Sequence, residues 1–209
     1  MEVLTEMIAI IDYKAGNLTS VERALVHIGK ECRITDRPVE ILSAERVILP
    51  GVGAAGAAMD VMKTSDLNRV IYDVVGGGVP FLGICLGAQI ILDRSEENSV
   101  SCLGVIRGST KKFRTADLKI PHMGWNNISA VRPHPVLAGI DERAQYYFVH
   151  SYYPDPERRD DIVATTEYGV EFASIIGKGN VVAMQFHPEK SGRHGLRILK
   201  NFCEWDGTA

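Results

Sequence analysis

Short, uninterrupted apolar runs alternate with amphipathic stretches through the first half of the chain. Met7-Ile-Ala-Ile-Ile-Asp12 is the first such run, as expected for a strand buried on both faces of a sheet. After the Gly16-Asn17 turn, Leu18, Val21, Leu25 and Ile28 recur at helical spacing, with Gly29 as the stop. Val47-Ile-Leu-Pro50 is a second buried strand, and it leads into the glycine-rich loop Gly51-Val-Gly-Ala-Ala-Gly56. Leu67, Val70, Ile71 and Val74 mark a further helix that ends at Gly76-Gly-Gly78. Val79-Pro-Phe-Leu-Gly-Ile-Cys85-Leu-Gly-Ala-Gln89 then reads as a strand running directly into a helix. This alternation predicts an α/β fold with a mostly parallel central sheet and helices on both faces.

The second half has a different pattern. Tyr146-Tyr-Phe-Val-His-Ser-Tyr-Tyr153 reads as one strand, and Phe172 to Phe186 as a hairpin turning about Gly177–Asn180. A closing helix carries Leu196, Leu199 and Phe202. The expected addition is therefore an antiparallel C-terminal extension of the sheet. With no repeat, low-complexity tract or linker, residues 1–209 are expected to form a single domain, with residues 1–6 as a loose extension.

Composition narrows the function classes. A net charge of −3 gives no reason to expect nucleic acid or an anionic membrane surface. No apolar run approaches the length of a membrane span, and the acidic start Met1-Glu-Val-Leu-Thr-Glu is unlike a signal peptide. Cys32, Cys85, Cys102 and Cys203 show no C-x-x-C spacing, so neither a disulfide framework nor a zinc site is expected, and the cytoplasm is the default compartment.

The chemistry centres on Cys85. It lies at a strand-to-helix turn with Gly83 and Gly87 two residues away on each side, the thiol version of a nucleophile elbow. A turn that sharp leaves little room for side chains at the flanking positions. The amino end of the following helix favours thiolate over thiol. A buried packing cysteine is the plain alternative, and a base has to decide between the two. Among six histidines, His27 sits on a helix, His122 in a loop, His134 in a Pro-rich turn and His194 near the closing helix, while His150 reads as packed in mid-strand. His187 differs, because it caps an apolar strand and is followed by Pro188 and Glu189. Along extended chain, residues two apart point to one side, so Glu189 can orient the imidazole while its other nitrogen faces the thiol. A Cys85–His187–Glu189 triad of this kind performs acyl transfer through a tetrahedral oxyanion and a thioester. One oxyanion donor is expected at the backbone N–H of Leu86, the second in the 51–53 loop at Val52 or Gly53.

Gly51–Gly56 also fits the dinucleotide fingerprint G-x-G-x-x-G. The acidic partner expected about 20 residues on is missing, since Asp73 lies inside a helix. The loop also follows a later strand instead of the first. No cofactor and no metal are expected.

These motifs resemble the class I glutamine amidotransferases, and within them the glutaminase subunits of imidazole glycerol phosphate synthases. Asp12-Tyr-Lys-Ala-Gly-Asn-Leu-Thr-Ser-Val21, Leu49-Pro-Gly-Val-Gly53, Gly83-Ile-Cys-Leu-Gly-Ala-Gln89, Pro121-His-Met-Gly-Trp-Asn126 and Phe186-His-Pro-Glu-Lys-Ser191 carry the likeness, in the expected order. It departs at Ala88, where Met is usual, and at Lys14-Ala15. The resemblance implies a flavodoxin-like fold and hydrolysis of glutamine to glutamate and ammonia by Cys85, His187 and Glu189. It implies glutamine contacts at Gln89, Glu97 and Ser151. It also places Asn17, Met123, Trp125 and Lys190 toward a cyclase partner, a (β/α)₈ barrel joined in a heterodimer that receives the ammonia for histidine biosynthesis. This chain is itself too short to include a barrel of about 250 residues. Rival expectations are a stand-alone thiol hydrolase of similar fold, the glutaminase of another pathway, and an inactive binding subunit.

Overall fold

The computed structural model describes residues 7–14, 18–115 and 118–208. Its first half runs β1 (Ile8–Ile11), α1 (Leu18–His27), β2 (Cys32–Thr35), α2 (Pro38–Leu42), β3 (Arg46–Leu49), α3 (Ala55–Thr64), α4 (Leu67–Gly76), β4 (Phe81–Ile84) and α5 (Leu86–Ile90). Five strands follow: β5 (Arg94–Ser95), β6 (Val100–Ser101), β7 (Gly108–Lys112), β8 (His122–Asn127) and β9 (Ser129–Ala130). The chain closes through β10 (Gln145–His150), β11 (Tyr152–Pro156), β12 (Ile162–Glu167), β13 (Glu171–Lys178), β14 (Val181–Met184) and α6 (Gly192–Glu204).

The main sheet has the order β2-β1-β3-β4-β14-β13-β12-β9. Its first five strands are parallel, and β13, β12 and β9 extend it antiparallel. Every residue of β1, β4 and β14 is buried, which explains their continuous apolar sequence. Alternate residues serve opposite faces. Ile8, Ile10, Ile48, Leu82, Val182 and Met184 join one core with Leu25, Leu199 and Phe202 of α1 and α6. Ala9, Ile11, Val47, Leu49, Phe81 and Ala183 join the other with Met59, Met62, Ile71 and Val74 of α3 and α4. Among the described residues no helix is long and apolar enough to cross a membrane.

Two expectations from the pattern are corrected. The Tyr146–Tyr153 segment is two strands: β10 pairs with β8, whereas β11 pairs with β7 in a separate four-stranded sheet. The break falls at Ser151, and apolar periodicity cannot register it because both pieces are strand. His122 opens β8 and is buried, not placed in a loop. The strand had no apolar alternation to reveal it, because its inward positions are His122, Gly124 and Asn126.

The elbow forms between β4 and α5. Cys85 has φ 53° and ψ −103°, a backbone region that costs a non-glycine residue of order 1–3 kcal/mol. A Cβ at Gly87 would collide with the Leu49 carbonyl, and one at Gly83 would sit 3.0 Å from Ala183 Cβ and from the Gly87 backbone. The close packing of α5 on β3 and β14 therefore requires glycine at both places. α5 has only five residues, so the polar influence on Cys85 is that of the first-turn amides and not of a long helix dipole.

Candidate active site

The parallel pairing of β4 with β14 matches Ile84 with Met184, so Cys85 and Gln185 leave adjacent strand ends together. The Cys85 N–H donates to the Met184 carbonyl at 2.8 Å. Two residues further on, the His187 N–H donates to the Tyr147 carbonyl at 2.9 Å, which ties this strand end to β10. Ser191 secures the same junction: its hydroxyl donates to the His187 carbonyl at 2.6 Å and accepts from the Tyr147 N–H at 2.9 Å.

His187 Nδ1 lies 2.8 Å from Glu189 Oε1, with both side chains almost fully buried. An anionic carboxylate can only accept, so Nδ1 carries a proton. The route differs from the extended chain that the spacing suggested. Pro188–Lys190 forms a turn of 3-10 helix, and Glu189 reaches back across it. His187 Nε2 is buried, and among the described residues it has no partner of normal hydrogen-bond geometry, although the ring interacts with the Cys85 sulfur. Burial works against the imidazolium, but the Cys85 sulfur and the Glu189 carboxylate together outweigh it and raise the His187 pKa to about 9.

A cavity of about 320 Å³ brings together Val52, Gly53, Cys85, Leu86, Gln89, Glu97, Ser151 and His187. Glu189 stands behind His187. Glu97 accepts the Ala55 N–H at 2.6 Å through Oε2, so this carboxylate caps the start of α3 directly after the glycine-rich loop. The Leu86 N–H donates to the Gly51 carbonyl at 3.3 Å. The Tyr13 hydroxyl lies where a Gly51 side chain would begin, and it is buried without a hydrogen-bond partner among the described residues. Burial, and then the Cys85 charge, push its pKa up.

The remaining wall is a polar network that the sequence pattern did not reveal. The Tyr152 carbonyl accepts from His150 Nδ1 at 2.8 Å and from Gln89 Nε2 at 2.9 Å. A carbonyl is an acceptor only, so His150 carries its proton on Nδ1 and accepts at Nε2. His122 Nδ1, 3.0 Å away, must then donate to it. Asn126 Nδ2 approaches His122 Nε2 at 3.4 Å and donates to the Glu167 carbonyl at 2.9 Å. His122 stacks between Phe148 and Tyr168. Burial depresses its pKa to about 4 and that of His150 to about 3, so both rings are neutral. His150, expected to be a packing residue, is buried and also lines the cavity.

On the outer face of β8, Met123 and Trp125 are 62% and 55% exposed, a conspicuous pair of large apolar side chains in open solvent. Trp125 meets Tyr147 edge-to-face at 6.0 Å. Lys190 is exposed nearby in sequence to His187. Asn17 lies outside the described residues. Among the described residues no group of His, Cys, Asp and Glu is arranged to hold a metal ion.

Comparison with known proteins identifies the family and the fold. The family model described as glutamine amidotransferase class-I matches residues 9–205. The imidazole glycerol phosphate synthase subunit HisH of Nitratidesulfovibrio vulgaris (strain DSM 19637 / Miyazaki F) is 51% identical over 203 residues, covering 94% of this chain and 95% of the relative. Its counterpart in Methanocaldococcus jannaschii is 49% identical over 199 residues, covering 95% of this chain and 99% of the relative. Among solved structures, PurLQS from Thermotoga maritima matches with a TM-score of 0.77 at 17% identity, covering 96% of this chain and 98% of that one. A glutamine amidotransferase from Thermotoga maritima gives 0.67 at 20%, with 95% and 80% covered. The structural matches speak for the fold alone.

Proposed function

Because the chain belongs to the class I glutamine amidotransferases, we propose that it is the glutaminase subunit of an imidazole glycerol phosphate synthase. Working as one domain in the cytoplasm, it hydrolyses glutamine and passes the ammonia to a cyclase subunit in histidine biosynthesis. The observation that carries this reading is the convergence of Cys85 and a Glu189-oriented His187 on one cavity.

The chemistry follows from those groups. Cys85 thiolate attacks the side-chain carbonyl carbon of glutamine, and the C=O pair moves onto oxygen. The tetrahedral intermediate collapses to a thioester as His187 Nε2–H protonates the departing nitrogen, which leaves as ammonia. Water then attacks the thioester, His187 takes its proton, and glutamate leaves as the sulfur is released. Glu189 fixes the imidazole and offsets its charge. Gln89, Glu97 and Ser151 surround the amino-acid end of the substrate.

The oxyanion needs donors. The Leu86 N–H serves once the Gly51 carbonyl has turned away from it, and the same rotation of the Gly51–Val52 peptide brings the Val52 N–H inward, with Gly53 beside it. Ammonia set free in water is protonated and lost as a nucleophile, so a docked acceptor is a chemical requirement. The exposed Met123 and Trp125, with Lys190, form the docking face for a cyclase of (β/α)₈ architecture in a heterodimer.

The test uses glutamine labelled at its amide nitrogen, supplied to the chain with the cyclase and its nucleotide substrate in excess unlabelled ammonium. The expected result is one glutamate per labelled product, undiluted by the ammonium. Failure to release glutamate, or full dilution of the label, would overturn the reading.

A further inference from the structure

Gln185 is fully buried at the end of an otherwise apolar strand, where a polar side chain is costly unless its amide is satisfied. Its partners show what it does. Gln185 Oε1 lies 3.0 Å from Gln89 Nε2, and Gln185 Nε2 lies 3.7 Å from Cys85 Sγ. Which end of each amide is nitrogen is fixed by chemistry. The Tyr152 carbonyl can only accept, so Gln89 must turn its NH₂ toward it. That same NH₂ faces Gln185, which must answer with oxygen, and the Gln185 NH₂ is left aimed at the sulfur. A flipped Gln185 would set two NH₂ groups against each other and leave the thiolate facing a carbonyl oxygen.

We infer that Gln185 is a further catalytic residue, whose amide N–H donates to the Cys85 sulfur and holds it as an aimed thiolate, with Gln89 as the positioning residue that fixes the amide. The inference rests on the glutaminase reading of Cys85 and adds to it a third group at the sulfur, beside His187. The pairing of Ile84 with Met184 favours the contact, since residues 85 and 185 directly follow the last paired residues of the two strands. A charge-assisted hydrogen bond to an anion is stronger than one to a neutral group, so the amide favours thiolate. It also limits rotation of Sγ between the imidazole and the substrate carbonyl. The bond needs no proton transfer and persists as the sulfur becomes a thioester, weakening as its charge is lost.

The experiment is the pH profile of Cys85 alkylation by iodoacetamide, with glutamine kinetics of the same proteins in complex with the cyclase. The variants are Gln185→Met, which keeps the length and loses the donor, and Gln185→Glu, which keeps the shape and replaces the neutral donor with a carboxylate at the sulfur. The expected order of alkylation midpoints is wild type below Gln185→Met below Gln185→Glu, with the first step about one pH unit. kcat should fall about tenfold in Gln185→Met while KM changes less than about threefold. Wild-type midpoints in either variant, with or without a loss of kcat, would overturn the inference and leave Gln185 as packing only. If Gln185→Met does not fold, the near-isosteric Gln185→Glu decides alone. If alkylation of wild-type Cys85 leaves glutamine hydrolysis intact, the nucleophile reading fails instead, so the two failures are distinguishable.

Discussion

The backbone N–H of Leu86 donates to the carbonyl oxygen of Gly51 at 3.3 Å. The donor proposed for the oxyanion is therefore already engaged within the chain. Loss of one such donor costs about 3 kcal/mol of barrier, or about 10²–10³ in rate. Glutamate release by the isolated chain should accordingly run at least about 10²-fold below the rate in a cyclase complex that has turned the Gly51 carbonyl aside. Steady-state rates with and without the cyclase and its nucleotide ligand measure the ratio, and equal rates would remove Leu86 from the oxyanion site.

Cys85→Ala should lower glutamine hydrolysis by at least about 10⁴-fold, because the remaining groups act only through the sulfur. Binding of the cyclase should survive, since Cys85 is buried at the elbow whereas Met123 and Trp125 are exposed. Hydrolysis that persists in a clean preparation would sink the assignment, as would loss of complex formation in a folded variant.

His187 predicts an alkaline effect on stability. Its folded pKa of about 9 stands above the ordinary value of 6.5, so the folded chain holds a proton that the unfolded chain releases. The stabilisation is complete below pH 6.5 and is lost as pH rises toward 9. Because Cys85 is one of the causes, Cys85→Ala should lower the titration midpoint of the His187 imidazole itself, read by NMR of the ring. An unchanged midpoint would refute the coupling.

An acid effect has the opposite sign. His122 and His134 are depressed to about 4 and His150 to about 3, all by burial first. Below the ordinary value of 6.5 the unfolded chain takes up protons that these three rings refuse, so stability falls as pH drops toward 4. Calorimetric unfolding at pH 5.5 in buffers of different ionisation enthalpy should report net proton uptake, chiefly at these histidines. Release, or no exchange, would contradict their neutral state.

Trp125→Ala should weaken cyclase binding at least tenfold, as expected for a central aromatic anchor. The thermal midpoint of the isolated chain should change little, because Trp125 is 55% exposed. Unchanged affinity together with unchanged nitrogen transfer would move the docking face elsewhere.

Much of this was legible because the parallel core is written in uninterrupted apolar runs. Ile8–Ile11 and Phe81–Ile84 contact helices on both sides and must be apolar throughout. The proximity of Cys85, His187 and Glu189 at one cavity was foreshadowed because elbow glycines and a His-x-Glu spacing are local signals. The small sheets were not, since strands such as Arg94–Ser95 and Val100–Ser101 are too short to show a period. His122, His150 and Gln185 escaped because their meaning lies in partners far along the chain. His122 and His150 meet across the β8–β10 pairing, and Gln185 meets Cys85 only through the register of β14 with β4. A polar residue interrupting Val181–Phe186 was the available hint.

The Cys85 backbone, at φ 53°, sets resilience against usefulness. Glycine would relax that corner without steric cost, so Cys85→Gly should yield a fold at least as robust and wholly inert. A library of this protein selected for heat resistance alone would drift toward that replacement, whereas one selected on nitrogen delivery would keep the tense residue and tolerate the fragility. The elbow is thus a place where the two selections pull the same codon in opposite directions.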